Sequence, residues 1–203
     1  RELMLSELLG QASRRFQIAV LLARLEHEPV IEATLADSGM EGDAMRLARV
    51  SLFNYFAAAV LMPYRRFLEA ARGLRHDIDR LRRRFHVSFE QACHRLSTLQ
   101  RPGWRGVPFY FARVDMAGNI TKRHSATRFQ FARFGGACPL WNVHSTFDMP
   151  DRLLSQVIEL PDGTRYFSIA QGNAGVTFAA RRLKCGWGEW SLVAATLEAV
   201  RAA

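Results

Sequence analysis

The amino-acid sequence predicts an α+β fold: a helical region over residues 1–100, then a mostly antiparallel β-sheet domain with flanking helices over 101–203. Apolar residues recur at helical spacing through the first hundred positions. The pattern shifts at Arg101-Pro-Gly-Trp-Arg-Gly, and beyond it pairs of β-rich runs flank hairpin turns.

The first helix is expected over Leu3–Glu26, where Leu5, Leu8, Leu9, Ala12, Phe16, Ala19, Val20 and Ala23 share a face and Pro29 stops it. Asp43 suits the N-cap of a second helix reaching Leu61, with Met45, Ala48, Leu52, Phe56 and Ala59 turned inward. Pro63 ends it. Arg65–Arg72 and His76–Phe85 read as two further helices around Gly73. Ser88 and Gln91 form a capping box opening a helix to about Leu99.

In the second half, Val107–Val114 and Ile120–Arg123 flank Ala117-Gly118-Asn119, a hairpin signature. Val157–Leu160 and Arg165–Ala170 flank Pro161-Asp162-Gly163-Thr164, whose Asp-Gly suits a tight turn. Val176–Leu183 is a further strand and Ser191–Ala203 a closing helix. No internal repeat interrupts this order.

Composition narrows the function classes. Aliphatic and aromatic residues make up 49% of the 203 positions, which excludes disordered and low-complexity chains. The longest apolar run, Tyr55–Pro63, is about half of the roughly 18 residues a membrane span needs, so no membrane partner is expected. The net charge is +9, and 26 of the 28 cations are arginine, the residue suited to bidentate contact with phosphate or carboxylate. Residues 63–105 carry 11 Arg against 4 acids, a local +7. The first residue is Arg1, without an initiator Met or signal peptide, which suggests a piece of a longer chain. Three cysteines, Cys93, Cys138 and Cys185, make neither a disulfide framework nor a zinc ribbon and suit a reducing cytoplasm.

No common enzyme motif is present, and no histidine pair has i,i+4 ligand spacing, so neither a catalytic residue nor a metal site is assigned. Arg65, Arg66, Arg72, Arg75, Arg80, Arg82, Arg83 and Arg84 fall within twenty residues. They form either a solvated face paired with Glu69, Asp77 and Asp79 or a phosphate-gripping surface for DNA or a nucleotide ligand. Lys122–His144 sets Lys122, Arg123, Arg128 and Arg133 among Phe129, Phe131, Phe134 and Trp141. That is amphipathic strand patterning. A Gly135-Gly136 turn before Cys-Pro-Leu-Trp141-Asn142 also suits a pocket wall. His124 and His144 are placed in loops and could line it.

Residues 51–67, SLFNYFAAAVLMPYRRF, resemble the N-x-F-A-A-x-L-L-M-P stretch of the ImmA/IrrE family of zinc peptidases. In that family an earlier helix carries F-x-x-A-H-E-x-x-H. Here Phe16-Gln17-Ile18-Ala19 fits the lead-in, but Val20 and Arg24 replace the ligand histidines and Leu21 the catalytic Glu. The acid expected among Arg49–Phe53 is missing. The resemblance therefore implies a zincin-derived but dead peptidase, since Val and Leu cannot bind zinc and Arg would repel it.

The stretch from Val87 through Phe147 is similar to the transcriptional regulators of propionate and short-chain fatty-acid metabolism of the PrpR/RamB type, and the match runs over residues 14–170. This implies the acyl-CoA-sensing and oligomerising region of a cytoplasmic regulator of methylcitrate- or glyoxylate-cycle genes, assembled as dimer or tetramer. DNA would be held by an N-terminal helix-turn-helix domain that this chain does not include. Coenzyme A wants cations for its phosphates and a planar group for its adenine. The candidate ligand residues are Tyr64, Arg65 and Arg66 beside the old active site, with Lys122, Arg123, Arg128, Trp141 and Asn142 from the second half. The family's iron–sulfur centre uses a closely spaced C-terminal cysteine cluster absent from this sequence, so none is expected here. The alternative is a direct nucleic-acid-binding module using the Arg65–Arg84 helices.

Overall fold

A computed structural model describes residues 4–127, 142–150, 152–160, 162–172 and 176–182. These divide into two compact units. One lies within Arg1–Gly73 and Asp79–Ser88, the other within Leu74–Ile78 and Phe89–Ala203.

The first unit is helical. Helix α1 (Gln11–Glu26) turns Ala19 and Ala23 inward, and α2 (Glu28–Ala36) buries Ile31 and Leu35. Helix α3 (Gly42–Leu61) adds Phe53, and Val20, Met45, Ala48, Leu52 and Phe56 pack around this cluster. Sequence reading missed α2. Pro29 begins that helix rather than merely ending α1, because its missing N–H falls where a first-turn donor is unpartnered anyway. Helix α1 likewise starts eight residues later than expected, after Gly10. The N-cap of α3 is Glu41, which places Asp43 in the first turn, favourable to the helix dipole but not the cap. Helices α4 (Tyr64–Gly73) and α5 (Ile78–Phe85) follow, with Phe67 and Phe85 ring centroids 5.0 Å apart.

The second unit is a five-stranded, wholly antiparallel sheet. Its strands are β1 (Phe109–Val114), β2 (Ile120–Ser125), β3 (Leu153–Glu159), β4 (Arg165–Gly172) and β5 (Val176–Arg182), in the order β2-β1-β5-β4-β3. Both expected hairpins form. In the first, Asp115 accepts the Asn119 backbone N–H at 2.8 Å and its side-chain amide at 3.1 Å, which lowers the Asp115 pKa, and Gly118 supplies φ +84°. In the second, Asp162 accepts from Thr164 N–H at 2.9 Å and Gly163 has φ +75°.

Among the described residues, two helices belong to this unit. Helix α6 (Phe89–Ser97) follows Ser88, as expected, and sits against β1 and β5. Helix α7 (Asn142–Asp148), which sequence reading did not foresee, sits against β3, β4 and β5. Strand alternation sends Tyr110, Ala112, Val114, Tyr166, Ala170, Val176, Phe178 and Ala180 into one core with Val143 of α7. The intervening Phe111 meets His94 of α6 from the other face, with ring centroids 5.2 Å apart. The closing helix expected at Ser191–Ala203 lies outside the described residues, as do Cys138 and Cys185.

Candidate functional site

The peptidase-like positions lie on α1 and α3. Val20 packs against the apolar cluster of the first unit, and the Arg24 guanidinium stands 5.4 Å from the centroid of the Phe53 ring. One turn on, the His27 ring lies 4.5 Å from that of Phe56. A zinc ion does not fit here, because the Val20 alkyl group, the stacked Arg24 cation and the Phe53 ring offer it no lone pair, and the His27 imidazole alone is one donor where a zinc site needs at least three. Among the described residues, no three His, Cys, Asp or Glu side chains gather as a metal site. At the position where the resemblance would set a ligand histidine, Arg24 instead makes a cation–π contact with Phe53 that joins α1 to α3.

Tyr64, Arg65 and Arg66 form the first turn of α4. Tyr64 is half-buried, while Arg65 and Arg66 are exposed, and Arg65 lies 3.7 Å from Glu69. Along α5, Asp79 takes both Arg82 at 2.6 Å and Arg83 at 2.8 Å. Part of the basic run is therefore internally neutralised, the ordinary condition of charged helix faces.

The second-unit candidates are Lys122, Arg123 and Asn142; Arg128 and Trp141 lie outside the described residues. Lys122 and Arg123 are neighbours on β2 but project to opposite sheet faces. Lys122 pairs with Arg113 in register, lies 3.5 Å from Glu90 of α6 and stands 5.7 Å from the centroid of the Phe111 ring. Glu90 also meets Arg113 at 3.6 Å. Arg123, paired with Ala112, shares the other face with Tyr110. Burial raises the Tyr110 pKa, and the Arg123 charge works against that rise, a sign of their proximity.

Asn142 is on the Arg123 side, since its helix packs on that core. Its backbone N–H donates to Gln156 Oε1 at 3.0 Å and its side-chain amide to Leu154 O at 3.1 Å, both on β3. The Oδ1 atom is buried without a hydrogen-bond partner among the described residues. Thr146 donates to the Asn142 carbonyl at 2.6 Å. Arg123 and Asn142 thus share a sheet face that Lys122 does not, but they stand at opposite edges of it, Arg123 on β2 and Asn142 against β3.

The two loop histidines of the sequence reading are in regular structure: His124 in β2 and His144 in α7. His124 turns to the α6 face, where its ring is edge-on to His94 at 5.7 Å between centroids. Sequence reasoning missed Arg95, 3% exposed on α6, whose Nη1 reaches Thr98 Oγ1 at 3.5 Å. Nothing local marks it among 26 arginines; its burial is set by which face of α6 meets the sheet.

Comparison with known proteins accords with this layout. Residues 1–97 match the IrrE N-terminal-like domain model, and residues 98–184 match the model described as short-chain fatty acyl coenzyme A regulator, C-terminal. A propionyl-CoA carboxylase regulator of Cereibacter sphaeroides is 52% identical over 191 residues, covering 92% of this chain and 41% of the relative. The HTH-type transcriptional regulators PrpR and RamB of Mycobacterium tuberculosis are 54% identical over 162 residues and 46% over 185. These alignments cover 79% and 86% of this chain, and 33% and 39% of the relatives. The chain therefore spans about two fifths of their length or less. A solved Mycobacterium tuberculosis transcriptional regulator superposes with a TM-score of 0.79 at 46% identity, over 88% of this chain and 58% of that one. These relatives are described as regulators, not enzymes.

Proposed function

Residues 1–97 belong to the IrrE N-terminal-like family and residues 98–184 to the short-chain fatty acyl coenzyme A regulator C-terminal family, and on that premise we propose that this chain senses short-chain acyl-CoA and self-associates within a transcriptional regulator of propionate metabolism. The observation that carries the reading is the match of the whole sheet unit, from α6's end to β5, to a family defined by that effector class. The peptidase-like half serves as scaffold, with Arg24 stacked on Phe53 where a metal would be needed for hydrolysis.

In this proposal the phosphates of coenzyme A meet arginines, whose planar forks suit bidentate contact. The candidates of the second unit are Arg123 and Asn142, with Arg128 and Trp141 proposed on their chemistry alone. Tyr64, Arg65 and Arg66 remain candidates on the first unit by themselves. DNA binding belongs to a helix-turn-helix domain elsewhere in the whole protein, as the two HTH-type relatives suggest. No iron–sulfur centre is assigned to this chain, whose Cys93 is buried with its thiol pKa pushed well up by desolvation.

The test is ligand-dependent stability. Propionyl-CoA at about a hundredfold excess over its dissociation constant stabilises a specific binder by about 2.7 kcal/mol. No melting shift with propionyl-CoA, acetyl-CoA or free coenzyme A would count against the reading. Steeply salt-dependent DNA affinity of this chain alone would favour the basic-helix alternative instead.

A further inference from the structure

Strand β2 is an edge of the sheet, hydrogen-bonded to β1 alone, and each of its residues keeps an exposed part. On its α6 side it is fastened at two points. His124 Nδ1 lies 3.0 Å from Ser97 Oγ, and the Lys122 ammonium lies 3.5 Å from Glu90 Oε1. Helix α6 has its own anchorage, since Phe89, Ala92, Cys93 and Leu96 are buried and the helix also packs on β1 and β5. The seam between α6 and β2 can therefore part without dismantling the rest of the unit.

Charge at this seam is one-sided. Glu90 is the only acid in α6, β1, β2 and β5. On the α6 side of the sheet stand Lys122 and His124 of β2, Arg113 of β1, and Arg181 of β5, which is paired with Phe109. Helix α6 adds His94 and the buried Arg95, and His76 lies against Phe109 with ring centroids 5.8 Å apart. The Cys93 thiol is kept neutral by burial. His94 and His124 face each other from opposite sides of the seam, edge-on at 5.7 Å between centroids. Neutral rings pack well in that arrangement. Two imidazolium ions would repel across it, and the one carboxylate is already shared by Lys122 and Arg113.

We propose that the α6–β2 seam is an acid-operated latch: charging His94 and His124 releases the edge strand β2 from α6 while the interior strands stay paired. The direction follows from linkage. Burial keeps both rings neutral in the closed seam, and for His94 the Lys122, His124 and Arg95 charges add to it. Rings freed from the seam bind protons more readily, so a fall in pH favours opening. Arg123 rides on the same strand, facing the other way, so release also moves a candidate effector residue. That last step alone rests on the effector reading, and the latch is tested without ligand.

The experiment is amide hydrogen exchange of the 203-residue chain, corrected for the intrinsic rate at each pH. Between about pH 7.5 and about pH 4.5, protection of β2 should fall tenfold or more, while β4, bonded on both sides, stays protected. His94→Gln with His124→Asn, which leaves an N–H for Ser97 Oγ, should abolish the acid response. In the parent at the acid end, added sodium chloride should restore β2 protection by screening the repulsion. Loss of protection in β2 and β4 alike, or none in β2, overturns the latch. So does an acid response that survives the double substitution, or one that salt leaves unchanged.

Discussion

His124 Nδ1 lies 3.0 Å from Ser97 Oγ, and Ser97 gives its own hydroxyl proton to the His94 carbonyl at 2.7 Å. With its proton committed, Ser97 can only accept from His124, so Nδ1 carries the hydrogen and Nε2 is left as the lone-pair nitrogen. That assignment holds for the neutral ring, which burial favours by lowering the His124 pKa.

His94, edge-on to His124, is held more strongly. Burial first, then the charges of Lys122, His124 and Arg95, bring its pKa down to about 4. Glu90, one turn earlier on α6, is engaged by Lys122 and Arg113. A depressed histidine pKa makes the folded state bind fewer protons than the unfolded chain. Stability is therefore full above pH 6.5 and is lost as the pH falls from there to about 4. The loss should be on the order of 3 kcal/mol, and melting curves of His94→Gln should show a flatter acid limb than the parent. An unchanged pH profile in that variant would remove His94 as the cause.

Gly172, in β4, has no room for a side chain. A Cβ there would meet Thr146 Cγ2 and the Thr146 carbonyl oxygen, each at 3.0 Å. The carbonyl is backbone of α7 and cannot rotate away, so Gly172→Ala should destabilise the sheet unit by about 1–3 kcal/mol. Gly73, near the end of α4, meets nothing within 4 Å. Gly73→Ala should be neutral or stabilising by up to about 1 kcal/mol, from the better helix propensity of alanine. Urea denaturation of both variants makes the comparison.

How much of this was legible beforehand depended on the kind of signal. Hairpins announced themselves because Asp115–Asn119 and Asp162–Thr164 carry their turn chemistry locally. Helix α2 did not, because Pro29 is equally a stop for α1 and a start for α2. Helix α7 is seven residues pinned at Asn142 by Gln156 and Leu154 of β3, partners 14 and 12 positions away that no local pattern displays. The degenerate zinc positions were readable from Val20, Leu21 and Arg24, whereas the stacking of Arg24 on Phe53 depends on how α1 meets α3. Site residues were chosen by chemistry alone, and strand alternation then parted Lys122 from Arg123.

Arg75 and His76 both have positive φ, 56° and 64°, in a turn closed by Asp77 N–H to Leu74 O at 3.0 Å. Two consecutive left-handed residues are the pattern of a type I′ turn, which favours Asn-Gly because side chains there cost about 1–2 kcal/mol each. Exposed Arg75→Gly should therefore raise the melting temperature. His76→Gly should gain less or lose outright, because the His76 ring also lies 5.8 Å from that of Phe109. Equal gains at the two positions would mean that this ring contact contributes nothing.

The opposed directions of Lys122 and Arg123 make the proposed effector site testable by single substitutions. Lys122 is occupied by Glu90 and Phe111 on the α6 face, whereas Arg123 shares its face with Tyr110, α7 and Asn142. A ligand phosphate gripped on the α7 side loses a charge-assisted contact when Arg123 becomes Ala, a change of roughly 1.5–3 kcal/mol or about 10- to 150-fold in affinity. Lys122→Ala should change affinity less than about threefold. Asn142→Ala needs separate treatment, since it also removes the amide bond to Leu154 and should lower stability by about 1 kcal/mol whether or not ligand is present. Isothermal titration with propionyl-CoA at one salt concentration distinguishes the three. A larger loss at Lys122 than at Arg123 would move the ligand to the α6 face, against Glu90 and the two histidines, and reverse the assignment.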